Sequence, residues 1–180
     1  MASWQTKSSK VVYENPFVVV HEDQVIKPDG TDGIYGYMDS KSPSITIIPV
    51  DDEGNTWIVQ QERYTLKRTT WEAVAGRTEN QPIEQAARRE LLEETGLEAS
   101  TIEVLTELNV SNGLTTFTTT LCLARGLTQV SYNLDQEDGI LEAKKIPLKQ
   151  LPEMILSGKI TDAQSIAGFF MAISYLEKEM

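Results

Sequence analysis

Three glutamates near the end of one helix constrain this chain more than any other feature in it. From Pro82 to Gly96 the sequence reads as a single helix. Proline suits the first helical position, where its missing N–H would be unpaired anyway. Glycine suits the left-handed residue just past a helix end. Inside that span Glu90, Glu93 and Glu94 stand at i, i+3 and i+4. At about 100° per residue they share one arc of roughly 100°. Left to itself, this is poor helix chemistry. Glu90 and Glu94 repel one another a turn apart, at a cost on the order of a few tenths of a kcal/mol. Glu93 and Glu94 also crowd the negative end of the helix dipole, where each anion costs roughly 0.3–1 kcal/mol. A divalent cation held among the carboxylates accounts for the bunching. Hard oxygen donors point to Mg²⁺, with Mn²⁺ as the alternative, rather than to zinc. The competing reading is a solvated acidic face in which Arg89 pairs with Glu93 at i, i+4.

A net charge of −11 weighs against a nucleic-acid duplex or an anionic membrane as partner. In that field an anionic substrate needs metal ions or a local arginine cluster. The length of 180 residues fits one domain, and 40% hydrophobic residues suffice for an ordinary core. The single cysteine, Cys122, excludes an internal disulfide and fits a small core residue in a reducing cytoplasm. The opening residues MASWQTKSSK lack the apolar run of a signal peptide, and no stretch approaches the length of a membrane span. The expected location is therefore cytoplasmic.

Along the chain, Met1 to Lys10 is expected to fray. Val11 to Tyr13 and Phe17 to Ile26 read as strands, with Gly33 to Met38 returning after a turn at Lys27 to Gly30. Ser44 to Val50 is a buried-looking strand. Asp51 to Asn55 reads as a hairpin turn joining it to a partner strand, Thr56 to Tyr64. Trp71 to Val74 is a short strand. Ile102 to Val110, Thr115 to Ala124 and Ile140 to Ile146 follow the helix as strands. Leu148 to Leu156 reads as a short helix, and Asp162 as the N-cap of another. In that last helix Ile166, Phe169, Phe170, Ile173 and Leu176 form a stripe at helical spacing, expected to pack in the core. Strands on both sides of a central helix, with helices at the end, predict an α+β sandwich with a mixed sheet. The only histidine, His21, lies on a strand, so histidine base chemistry is not expected.

The run Arg89-Glu90-Leu91-Leu92-Glu93-Glu94-Thr95-Gly96-Leu97, preceded by Gly76, resembles the Nudix box. Its second half matches at every fixed position. Its first half departs: only twelve residues separate Gly76 from Arg89, one fewer than in the family, and Gln81 stands where the family has its first glutamate. One deletion in the loop Arg77–Gln81 accounts for both, and bears on ion pairing and loop shape there. Beyond the box, Gly30 to Gly36, Gln60-Gln61-Glu62-Arg63-Tyr64, Trp71 to Gly76 and Asp162 to Gly168 look like the ADP-ribose pyrophosphatase branch of that family.

That resemblance implies a Nudix-type α/β/α sandwich with an N-terminal antiparallel β extension. Residues 1–180 would form one domain, with 1–43 as the extension and 44–180 as the catalytic core. It implies Mg²⁺-dependent cleavage of a nucleoside diphosphate sugar, with ADP-ribose giving AMP and ribose 5-phosphate. Glu90, Glu94 and, between them, Glu93 would ligate metal with the Ala75 carbonyl, and Arg89 would hold the glutamates. Arg63 would contact the substrate near its phosphates, with Gly76 and Glu72 beside it. Glu72 reads equally as reaching substrate or metal through water, or as a strand cap. Trp71 reads as core ahead of an adenine platform. A carboxylate on the loop 135–142 would be the general base: Glu137, with Asp138 and Glu142 as alternatives. The acid this branch tends to carry after Ser111-Asn112-Gly113 is missing, with no acid before Asp135. Trp4 and Tyr13 fall where the branch uses its N-terminal sheet to form a homodimer and cover the adenine. Other readings are a Nudix-fold binding or sensor module without turnover, and a hydrolase of another nucleoside di- or triphosphate.

Overall fold

In the computed structural model, residues 3–132, 134 and 139–179 are described. They fall into two units: one of residues 1–43 and 109–118, the other of 44–108 and 119–180.

The first unit is a three-stranded antiparallel sheet of β1 (Gln5–Glu14), β2 (Val18–Ile26) and β3 (Asp32–Ser40), in that order. β1 corrects the expectation of a frayed start. Gln5 to Lys10 are exposed and polar, so no hydrophobic alternation marks them. Their backbone pairs with β2 from Gln5 opposite Ile26 onward, and Lys7 and Lys10 reach Asp32 (2.9 Å) and Glu22 (2.7 Å). Asn15 shapes the β1–β2 turn, its side-chain oxygen accepting from the N–H groups of Phe17 and Val18. His21 stacks on Tyr37 and lies 3.0 Å from Asp39.

The second unit holds two sheets. One is antiparallel: β10 (Ile140–Pro147), β5 (Asn55–Arg63) and β6 (Arg68–Glu72), in that order. The other is mixed, in the order β7 (Val74–Arg77), β4 (Ser44–Pro49), β9 (Thr118–Gln129) and β8 (Leu97–Asn109). Here β4 runs antiparallel to β7 and parallel to β9. This overturns the hairpin expected of β4 and β5. The two strands belong to different sheets; Val50, just past β4, makes an isolated bridge to Thr56, and the Asp51 N–H donates to the Asn55 carbonyl. The apolar run of β4 is buried on both faces, by the helix Ile83–Thr95 on one and the helix Ala163–Glu179 on the other, and its two edges are taken by β7 and β9.

β4 distributes its side chains to two cores. Ile45 and Ile47 join Ala86, Ala87 and Leu91 of α1 (Ile83–Thr95), while Ile48 joins Phe169 and Ala172 of α3 (Ala163–Glu179). Short α2 (Leu151–Leu156) adds Leu151 to the second core. Helices therefore cover both faces of the mixed sheet within this unit. Cys122 is fully buried, as expected of a small core residue. Phe170 departs from the expected stripe. It is 46% exposed, because it lies one residue, about 100° of helix, from fully buried Phe169.

Pro82 stands just outside α1, not at its first position, and Gly96 caps the other end with φ 69°. A Cβ on Gly96 would stand 1.9 Å from the Ser131 carbonyl oxygen, so glycine is required there twice over. The Gly96 carbonyl accepts from the N–H groups of Val130 and Ser131.

Candidate active site

The buried face of α1 carries Ala86, Ala87, Glu90, Leu91, Glu94 and Thr95. Two of the three glutamates thus share a face with core alanines and leucine. Glu90 is 6% exposed and Glu94 4%. Buried carboxylates are costly unless engaged by charge or hydrogen bonds. Each has such a partner. The Glu94 carboxylate accepts from the Ala75 N–H on β7 at 3.1 Å. Glu90 Oε1 lies 2.8 Å from Arg89 Nη2. No basic residue in the last turn of α1 offsets the dipole.

Arg89 joins several groups at once. Its Nη1 donates to Glu93 Oε2 (2.9 Å), its Nη2 to the Arg77 carbonyl (2.8 Å), and its Nε to Gln81 Oε1 (3.4 Å). Burial works against its charge, but Glu90, Glu93 and Glu79 outweigh that and hold its pKa above the ordinary arginine value. Gln81 therefore still reaches the arginine, as a neutral acceptor at long distance. The shortened loop closes by an unusual route. Glu79 (φ 51°) and Asn80 (φ 64°) are both left-handed, and the Gln81 N–H returns to the Thr78 carbonyl at 2.8 Å. Two central residues with positive φ give the form of a type I′ turn.

Gly76 makes room for Glu90. A Cβ there would stand 2.0 to 2.3 Å from the three carboxyl atoms of Glu90. Glu93 behaves differently. Its side chain is 39% exposed and is held by Arg89.

Arg63, at the end of β5, forms a two-pronged pair with Glu72 at the end of β6. Nε to Oε1 is 3.0 Å and Nη2 to Oε2 is 2.5 Å, and the Thr70 hydroxyl also donates to Glu72. Burial raises the pKa of Glu72, but the Arg63 and Thr70 hydrogen bonds and the Arg63 charge prevail and lower it. Arg63 is raised, first by hydrogen bonding to Glu72, against burial, with the charges of Glu72, Asp162 and Glu94 adding. The structure thus gives Glu72 a role the sequence did not suggest, that of arginine holder. Arg63 also lines a hollow of about 420 Å³, with Thr70, Glu72, Thr161, Asp162 and Gln164. Trp71 is half-buried against the α3-side core.

The donor set suits a hard divalent cation. Two buried carboxylates face β7, in a cradle that a side chain at Gly76 would fill. Among the described residues, no three acidic, histidine or cysteine side chains gather into a ready-made cage. Such an ion would complete its shell with backbone oxygen, water and substrate phosphate, which is how Mg²⁺ is commonly held. Of the base candidates, Glu137 and Asp138 lie outside the described residues, and Glu142 is exposed on β10 opposite Gln60.

Sequence reasoning missed Thr70, the Gln81 contact with Arg89, and Ser165. The spacing Asp162-x-x-Ser165 at a helix start was the available signal, since an N-cap and the third helical residue commonly bond each other.

A family model for the Nudix domain matches residues 40–169, and one for the nucleoside diphosphate sugar hydrolase N-terminal domain matches residues 4–38. The chain belongs to the Nudix family, whose members generally use divalent cations, and is a Nudix hydrolase with the α+β fold of that family. It is 31% identical over 169 residues to the ADP-ribose pyrophosphatase of Mycobacterium tuberculosis (strain ATCC 25618 / H37Rv), covering 92% of this chain and 81% of that one. It is 30% identical over 136 residues to the ADP-ribose pyrophosphatase of Bacillus subtilis (strain 168), covering 74% and 71%. A solved structure of an ADP compounds hydrolase superposes with a TM-score of 0.86, over 98% of this chain and 95% of that one. At 16% identity that likeness shows the fold alone. No helix among the described residues is long and apolar enough to cross a membrane.

Proposed function

We propose that this protein hydrolyses the diphosphate bond of a nucleoside diphosphate sugar with Mg²⁺, and that ADP-ribose, giving AMP and ribose 5-phosphate, is its first substrate. The observation that carries this reading is the cradle at β7: Glu90 beside side-chain-less Gly76, Glu94 on the Ala75 N–H, and Arg89 joining Glu90 to Glu93. The named relatives and the N-terminal domain match favour the substrate class.

Each residue then has a task. Glu90 and Glu94 would hold the ion, with the Ala75 carbonyl as a further oxygen donor and Glu93 at the rim. Arg89 fixes the planes of Glu90 and Glu93. Arg63, kept in plane by Glu72, binds the diphosphate at the wall of its hollow. When bound, divalent ions neutralise phosphate charge and make a bound water a usable nucleophile. Glu137, on the loop the family uses for its general base, would accept a proton from the attacking water. We further propose one functional domain over 1–180, acting in the cytoplasm as a homodimer through its N-terminal sheet.

The test is product analysis. Wild type incubated with ADP-ribose and Mg²⁺ should release AMP, and Glu94→Gln should lose at least about 100-fold in kcat with its melting temperature kept. An unchanged rate in that variant would rule the site out. A second reading, binding without turnover, is favoured by Gln81, a neutral acceptor 3.4 Å from Arg89 Nε where the family carries a glutamate. ADP-ribose that binds in calorimetry yet stays intact with Mg²⁺ and Mn²⁺ would select it. Pyrophosphate released from a preferred nucleoside triphosphate would select a different Nudix substrate.

A further inference from the structure

Between Glu72 and Val74 the chain leaves one sheet of the second unit and enters the other. The described register of β6 ends at Glu72 and that of β7 begins at Val74. Ala73 is the crossing residue, and it is buried. Its N–H donates to Ser165 Oγ at 2.9 Å, across 92 residues of sequence. Ser165 is itself only 2% exposed. Both its hydroxyl (2.7 Å) and its N–H (2.8 Å) donate to Asp162 Oδ2. The hydroxyl is therefore oriented: its proton points to the carboxylate and a lone pair to Ala73.

The crossing divides the two halves of the site. One residue before it, Glu72 holds Arg63. Two residues after it, the Ala75 N–H holds Glu94. Asp162, which fixes Ser165, also bears on Arg63 through its charge. We infer that Ser165 is a positioning residue that sets the Arg63–Glu72 half of the site in register with the Glu90–Glu94 half by pinning the sheet crossing at Ala73. This rests on the proposed function for its catalytic meaning, and on the hydrogen bonds alone for its geometry. Docking of α3 has supports besides that hydroxyl. Phe169 and Ala172 are fully buried, and the helix approaches so closely that a Cβ on Gly168 would stand 3.0 Å from Ile48 Cδ1.

The test compares Ser165→Ala and Ser165→Thr with wild type, using ADP-ribose and saturating Mg²⁺. Ser165→Ala should lower kcat at least about tenfold, the scale seen when a group orienting a ligand-holding residue is removed. Its KM should change much less, and its cooperative melting should persist. Ser165→Thr keeps the hydroxyl and should recover most of the lost kcat. A kcat in Ser165→Ala equal to wild type overturns the inference, as does a folded Ser165→Thr that loses as much as the alanine variant. A turnover-independent reading comes from the Ala75 amide resonance. It should move in Ser165→Ala, and an unmoved resonance overturns the inference whether or not Ser165→Thr folds. If wild type turns over no nucleotide sugar, the functional reading fails while the resonance still decides the geometric one.

Discussion

Gly76 and Arg89 carry their weight for opposite reasons, one by having no side chain and the other by having a forked one. Gly76→Ala puts a methyl inside contact distance of the Glu90 carboxyl, so the carboxylate or the strand must move. A displacement near 1 Å can cost about 100-fold in rate, and we expect that order of loss in kcat/KM, with weakened Mn²⁺ binding in a titration. Wild-type rates in the alanine variant would contradict the cradle. Arg89→Lys keeps the charge and loses the fork. A lysine cannot serve Glu90, Glu93 and the Arg77 carbonyl together. Activity should fall by roughly 10–100-fold, measured as kcat with melting temperature as the control. At Cys122, burial pushes the thiol up to about 11. At pH 8 a thiol reagent should label it only after denaturant is added, and equal labelling rates in native and unfolded protein would refute this.

Among the elements, α1 was legible because everything that defines it is local: a proline, a glycine, and glutamates at i, i+3 and i+4 between them. The same holds for Asp162, whose carboxylate does accept from the third residue of α3. The β4–β5 relation was not legible. The turn Asp51 to Asn55 has hairpin composition, yet its residues carry the chain from one sheet to another. Which strands flank β4 is settled by α1 and β9, far away in sequence. At that turn Asp51 accepts from the Asn55 N–H (2.8 Å) and pairs with Lys145 (2.7 Å). Burial raises its pKa, but Lys145 and Asn55 prevail and bring it from 3.8 to about 2. A folded pKa below the unfolded one stabilises the fold above the unfolded value. That contribution is lost as pH falls through the folded value. Thermal melts should therefore show Asp51→Asn with less loss of stability than wild type between about pH 4 and pH 2. Parallel curves over that range would show that the turn does not hold Asp51 as described.

For the molecule as a whole, a net charge of −11 keeps copies apart unless a surface draws them together. In the proposed homodimer that surface is the N-terminal sheet, where Trp4, Val11, Tyr13, Phe17 and Ile34 are each more than half exposed. Light scattering should give twice the chain mass, and Val11→Lys with Tyr13→Lys should halve it, since charge on an edge strand blocks pairing. A monomer in the unmutated protein would remove the homodimer from the proposal. Only the family resemblance singled out Trp4 and Tyr13; their composition alone reads as ordinary surface residues, because an exposed side chain carries no mark of what covers it. Gly96 has a consequence of another kind. Its left-handed backbone and the Ser131 carbonyl 1.9 Å from where a Cβ would sit leave one admissible residue out of twenty. A missense change at that codon should act as a null allele through lost protein and not lost chemistry. Its product should accumulate in the insoluble fraction of an expressing cell, whereas one altered at Glu94 should stay soluble and inert.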